Sequence, residues 1–139
     1  MVTLETSKLF SQLPPAELAA LGERAEERRF PAGQDIFKEG DAGDGVYVVR
    51  RGAVQISAFV GQGERRVFSR VLPGDVFGEM TLLDNQPRSA CATAEQETTV
   101  YFVPREAMVE LLRRSPELSM KLVQEISSRL REFNRQYLR

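Results

Sequence analysis

The sequence predicts a mainly β domain with flanking helices: an antiparallel roll or sandwich, with one helix before the strands and two after them. Three observations lead there. Short β-prone runs alternate with turn signals from about residue 28 to 104. Apolar residues at helical spacing are confined to the two ends of the chain. The length, 139 residues, suits a single domain that buries roughly two-thirds of its unfolded surface without staples.

The first thirty residues read as helical. Pro14-Pro15 opens a segment in which Leu18 and Leu21 recur at helical spacing, and Gly22 either ends that helix or weakens it. From Phe30 the rhythm changes. Pro31-Ala32-Gly33 is a turn, Asp35-Ile36-Phe37 a short strand, and residues 40–45 a glycine-rich loop. Val46-Tyr47-Val48-Val49 is the next strand, and Arg51-Gly52 turns the chain into another over residues 53–60. A hairpin tip at Gly61-Gln62-Gly63 joins it to a strand over residues 65–72, and Pro73-Gly74-Asp75 is a turn. Residues 89–94 and 98–103 read as two more strands around a polar turn. After Pro104 a short helix covers residues 105–113, and a long one covers about 116–138. Ser115 is placed to cap the long helix, with Pro116 at its first position. Leu118, Leu122, Ile126, Leu130, Phe133 and Tyr137 give it one apolar face.

Composition narrows the function. Nineteen basic residues against twenty acidic ones leave a net charge of −1, so the domain lacks the basic footprint of a nucleic-acid binder. An anionic ligand must be met by a local device. The single cysteine, Cys91, excludes a disulfide within the chain. With no histidine, ligands for zinc, an iron–sulfur cluster or haem are nearly absent, as is the usual general base. No Gly-x-Ser-x-Gly elbow or Gly-x-x-x-x-Gly-Lys phosphate loop occurs either. No apolar run approaches the roughly 18 residues of a membrane span, and the N-terminus has no signal-peptide pattern. The expectation is a cytoplasmic, reduced binding domain that is not an enzyme, needs no cofactor or metal, and has no direct contact with nucleic acid.

The informative stretch runs from Phe77 to Ala90, Phe-Gly-Glu-Met-Thr-Leu-Leu-Asp-Asn-Gln-Pro-Arg-Ser-Ala. It reads as a turn followed by a short helix starting near Gly78 or Glu79, whose first N–H groups and positive dipole end favour an anion. Gly78 lets a ligand approach the backbone. Arg88, at the start of a strand, carries a planar fork suited to a phosphate. Ionised Glu79 only accepts hydrogen bonds, which suits a sugar hydroxyl. A carboxylate for a sugar and a guanidinium for a phosphate describe a nucleotide pocket.

This stretch resembles the phosphate-binding cassette of cyclic-nucleotide-binding domains: F-G-E, a small residue, two aliphatics, a short loop, then R-[ST]-A. Such domains occur in catabolite-activator-like regulators, regulatory subunits of cyclic-nucleotide-dependent kinases, and gated channels. Phe30-Pro31-Ala32-Gly33, residues 40–45, Tyr47-Val48-Val49 and Gly52 also match the family's turns, so the likeness covers about residues 8 to 138. The resemblance implies a jelly-roll β-roll that binds cAMP or cGMP. It implies that Glu79 takes the ribose 2′-hydroxyl and Arg88 the exocyclic phosphate oxygens. Backbone N–H groups around Thr81 and Ala90, with the Ser89 hydroxyl, would complete the cradle, Gly78 would contact the ribose edge, and Phe77 and Met80 would be among the ligand-binding residues. Ile56 and Val71, on facing strands, would line the purine, and the last helix would close over the base with Arg129, Phe133 and Asn134. Family members that prefer cGMP often carry threonine after the arginine; Ser89 therefore favours cAMP. Thr81 departs from the commonest alanine, Cys91 replaces a β-branched residue, and the output domain is expected to lie outside these 139 residues. The chain is expected to be the sensor part of a larger regulator, with a homodimer through the last helix as a further expectation.

Plainer readings stand beside these. Arg88 pairs with Asp84 on the surface, Glu79 is a helix N-terminal acid, Ser89 a strand residue, and Ile56 and Val71 core. Phe133 and Tyr137 make core or dimer contacts, Cys91 is a buried apolar residue, and the paired arginines are solvated. The alternative function is a dimerisation module of the same fold that no longer binds nucleotide. Intact Glu79 and Arg88 argue against it, because buried unpaired charge is costly.

Overall fold

The computed structural model describes residues 3–61 and 63–137. Gln62, at the expected hairpin tip, lies outside the described residues, as do the side chains of Phe133 and Tyr137. Two four-stranded antiparallel sheets form the roll. The first is ordered β1 (Glu26–Phe30), β8 (Thr98–Pro104), β3 (Gly45–Arg51), β6 (Val76–Phe77). The second is ordered β2 (Asp35–Phe37), β7 (Cys91–Ala94), β4 (Val54–Phe59), β5 (Arg65–Val71). Helix α1 (Pro15–Arg24) precedes them, α2 (Met80–Asp84) interrupts them, and α3 (Arg105–Arg114) and α4 (Pro116–Tyr137) follow.

Strand β3 shows why the sheets and helices form two cores. Its residues Val46 to Val49 are all buried, which is why they read as an unbroken apolar run rather than an alternating one. Tyr47 and Val49 face the roll interior, where they meet Val54, Val71 and Ala92 of the other sheet. Val46 and Val48 face the opposite way, into a second core of Leu4, Leu9 and Phe10 with Met108 of α3 and Leu118 and Leu122 of α4. The stripe expected on α4 begins in that core, and Ile126 packs at its edge.

Local signals hold where they are local. Ser115 Oγ accepts the Leu118 backbone N–H at 3.2 Å, capping α4 as expected. Gly22 neither ends nor breaks α1, which continues to Arg24. Four expectations are corrected. Residues 26–30 are a strand, not helix; Glu-Glu-Arg-Arg-Phe has no strand alternation, and only its pairing with β8 makes it one. The pair Val76–Phe77 is a further strand, recruited by Tyr47 and Val48. Helix α2 begins at Met80, after Glu79, and β7 begins at Cys91, after Ser89 and Ala90. No helix among the described residues is long and apolar enough to cross a membrane.

Candidate functional site

The site is built where β6 runs into α2. Phe77 is buried, stacked on Tyr47 with ring centroids 5.1 Å apart, and Gly78 then turns the chain at φ +81°. A Cβ there would lie 2.7 Å from Arg88 Nη1, so both the conformation and the space require glycine. Glu79 follows as the N-cap residue of α2, with a buried side chain that makes no capping bond. Its carboxylate pairs instead with Arg129 of α4, which also donates to the Val76 carbonyl. Arg129 lies 3.7 Å from Glu125 on its own helix. With five residues, α2 supplies a few free N–H groups rather than a sizeable dipole.

Arg88 is fixed from the other side. Its side chain is 2% exposed, and its bonds run to the roll, to the turn before α2 and to α2 itself. Nη1 donates to the Gly78 carbonyl at 2.7 Å and to Thr81 Oγ1 at 3.4 Å. Nη2 donates to Asp44 Oδ1 at 2.9 Å and to the Gly45 carbonyl at 2.8 Å. Among the described residues, Nε is buried without a hydrogen-bond partner. The guanidinium carbon stands 4.1 Å from the Phe37 ring centroid, a cation–π contact. Burial, and then the nearby Asp44 carboxylate, push the Tyr47 phenol above its ordinary pKa. The surface reading of Arg88 is thus excluded: its acid is Asp44, not Asp84.

Between these anchors lies a cavity of about 640 Å³. Its walls include every expected cassette residue: Phe77, Gly78, Glu79, Met80, Thr81, Arg88, Ser89 and Ala90. Ile56 and Val71 line it from β4 and β5, where they pair with Ser69 and Val54 respectively rather than with each other. From α4, Arg129 lines it, whereas Asn134 is exposed and outside the lining. Sequence reasoning missed Phe37, Phe68, Ser69 and Arg70 on the sheet side, Ile126 and Leu130 on α4, and Lys8. Leu130 and Ile126 carried a signal, since both belong to the apolar stripe. Lys8 carried none; the Asp75 carboxylate 2.7 Å away raises its ammonium pKa and ties the N-terminal segment to the cavity rim. Among the described residues, no group of acidic or cysteine side chains can hold a metal ion.

The profile of the cyclic nucleotide-binding domain matches residues 27–115. The chain belongs to the cyclic nucleotide-binding domain family. It is similar to the cyclic AMP receptor protein of Thermus thermophilus, at 36% identity over 129 residues, 93% of this chain and 60% of that protein. It is 38% identical over 109 residues to a cAMP-dependent protein kinase regulatory subunit of Emericella nidulans, 78% of this chain and 26% of that one. Among solved structures, Thermus thermophilus catabolite activator protein superposes with a TM-score of 0.82 at 35% identity, covering 94% of this chain and 61% of that chain. The Toxoplasma gondii PKA regulatory domain with cAMP gives 0.71 at 33% identity, covering 77% and 41%. The chain spans about three-fifths of the bacterial regulators it matches. The cyclic nucleotide-binding fold accounts for the eight strands, and the cavity lies within it.

Proposed function

We propose that this chain is the sensor of a cytoplasmic regulator, without catalytic activity, and that it takes cAMP in preference to cGMP. The observation that carries the reading is the cavity itself, which presents Glu79 and Arg88 from one cassette with Ile56 and Val71 as an apolar wall. Arg88 meets the cyclic phosphate and Glu79 the ribose 2′-hydroxyl, with Ser89 and the backbone at Thr81 and Ala90 completing the cradle. Ile126, Arg129 and Leu130 of α4 line the same cavity, so ligand closes this helix over the base through differential contacts. Ser89 rather than threonine, and the cAMP named for the bacterial relatives, support the preference. Calorimetry of the chain against cAMP and cGMP is the test. One cAMP per chain is expected; a cGMP affinity ten times higher overturns the preference.

The outward face of α4 supports a homodimer. Met120 and Val123 stay 58% and 51% exposed, and with exposed Ser127 they recur at steps of three and four residues. Sedimentation of the chain and of Val123→Glu tests this; a monomeric parent rejects it.

A second reading has its own observation. Glu79 and Arg88 are both paired inside the chain, to Arg129 and Asp44, so their retention does not by itself demand a ligand. A module that lost its nucleotide would look the same at these two residues. An unshifted melting temperature in millimolar cAMP and cGMP selects that reading, because a ligand bound by the folded form alone must stabilise it.

A further inference from the structure

We infer that Thr81 is a positioning residue for the phosphate end of the cavity, holding Arg88 through its hydroxyl and packing its side chain against Gly43 of the 40–45 loop. The inference rests on the cyclic-nucleotide reading above.

Thr81 sits in the first turn of α2 and is 3% exposed. A polar side chain buried this deeply needs partners, and it has two. Its hydroxyl accepts from Arg88 Nη1 and donates to the Gly78 carbonyl, each at 3.4 Å, while Nη1 reaches the same carbonyl at 2.7 Å. The three atoms close a triangle, so Nη1 cannot swing without disturbing both oxygens. An alanine here would leave only the carbonyl to aim it.

The same side chain meets the loop at Gly43. A Cβ added to Gly43 would lie 2.3 Å from both Thr81 Cβ and Oγ1, and 2.7 Å from Cγ2. The backbone at Gly43 therefore lies directly on this side chain, a contact only glycine permits. The same loop supplies Asp44 and the Gly45 carbonyl to Arg88 Nη2, and its backbone exchanges bonds with Arg88 through Asp41 and Gly40. Thr81 thus touches both devices that orient the guanidinium. The α2 side is itself braced, since the Thr81 carbonyl accepts from Arg105 Nη1 at 2.7 Å. Threonine at 81 and glycine at 43 are one fitted pair.

The hydroxyl and the methyl separate by substitution. Thr81→Val keeps the shape and removes the oxygen; Thr81→Ser keeps the oxygen and removes the methyl. Loss of one net hydrogen bond corresponds to roughly 2- to 12-fold in affinity, which is the cAMP loss expected for Thr81→Val, with Thr81→Ser close to the parent. A packing role alone predicts the reverse order. The two phosphorothioate diastereomers of cAMP give the sharper readout. A guanidinium aimed at one exocyclic oxygen discriminates between them, and the ratio of their affinities should shrink in Thr81→Val. Should Thr81→Val not fold, Thr81→Ala carries the same readouts. Separately, Gly43→Ala should lower the melting temperature, and the Gly43→Ala, Thr81→Ala double variant should recover part of that loss.

Thr81→Val binding cAMP like the parent overturns the inference, as does a fallen affinity with an unchanged diastereomer ratio. A parent chain that binds no cyclic nucleotide overturns the functional reading instead. The steric pair then stands or falls on whether the Gly43 and Thr81 substitutions couple in melting temperature or merely add.

Discussion

The two ends of the cavity are held by different parts of the molecule. At one end Arg88 is bound by Asp44, Gly45, Gly78 and Thr81, and stands over the rings of Phe37 and Tyr47 from β2 and β3. At the other end the partner of Glu79 comes from α4, which follows the roll through α3 and a single capped residue at Ser115. The Arg88 end is therefore held by strands and loops of the roll, while Glu79 meets its partner only when α4 lies against the roll. A rigid end gives affinity by preorganisation, and a borrowed contact gives sensitivity, because whatever moves the helix also moves the site.

The largest effect should come from Arg88. A hydrogen bond to a charged group contributes about 1.5–3 kcal/mol, so Arg88→Ala should weaken cAMP binding on the order of 10- to 150-fold by calorimetry. Arg88→Lys should recover little of this, since a point charge cannot serve four acceptors at once. Parent-like binding by both variants would remove the rigid end from the comparison.

Arg129→Ala probes the borrowed end. It leaves the buried Glu79 carboxylate without its cation, which should cost about 1–3 kcal/mol in urea unfolding. Hydrogen exchange should speed up along residues 117–137 while the strands around Arg88 keep their protection. Equal acceleration on both sides would mean that the two ends are one cooperative unit.

Ligand should act on the same asymmetry with a smaller change. On cAMP addition, exchange across residues 117–137 should slow more than exchange in β3 or β8. Deleting the chain from Arg131 onward should weaken cAMP binding with the roll intact. A truncated chain that binds as tightly as the parent reduces α4 beyond Leu130 to a connector.

The smallest effect is electrostatic. Asp75 raises the Lys8 ammonium above its ordinary value of 10.5. A raised folded-state pKa contributes stability that is complete below the unfolded value and is lost as pH rises through the folded one. Lys8 is largely exposed, so the step is small. Urea midpoints on either side of the lysine range should fall further for the parent than for Lys8→Met. Parallel curves would mean that the Lys8–Asp75 pair does not brace the rim.

The amino-acid sequence by itself determined what short-range chemistry controls. The Ser115-Pro116 start of α4 needs only neighbours within one turn, and the structure has it. The turns at residues 31–33 and 73–75, the β3 run and the order of residues in the cassette are equally local, and so was the glycine at 78. Strand β1 was not legible, because Glu26 to Arg29 are strand only by virtue of β8, more than sixty positions on. Nor were the partners of the two functional charges. The plainer reading sets Arg88 beside Asp84, four residues away; it bonds instead to Asp44 across a separation of 44. Glu79 reads as an acceptor for a sugar hydroxyl, and nothing in the sequence points to Arg129, which meets it across a separation of 50. Spacing can place a carboxylate and a guanidinium in one cassette. Which other charge reaches each of them depends on how loop, sheet and helix pack, since Coulomb energy follows distance in space and not along the chain.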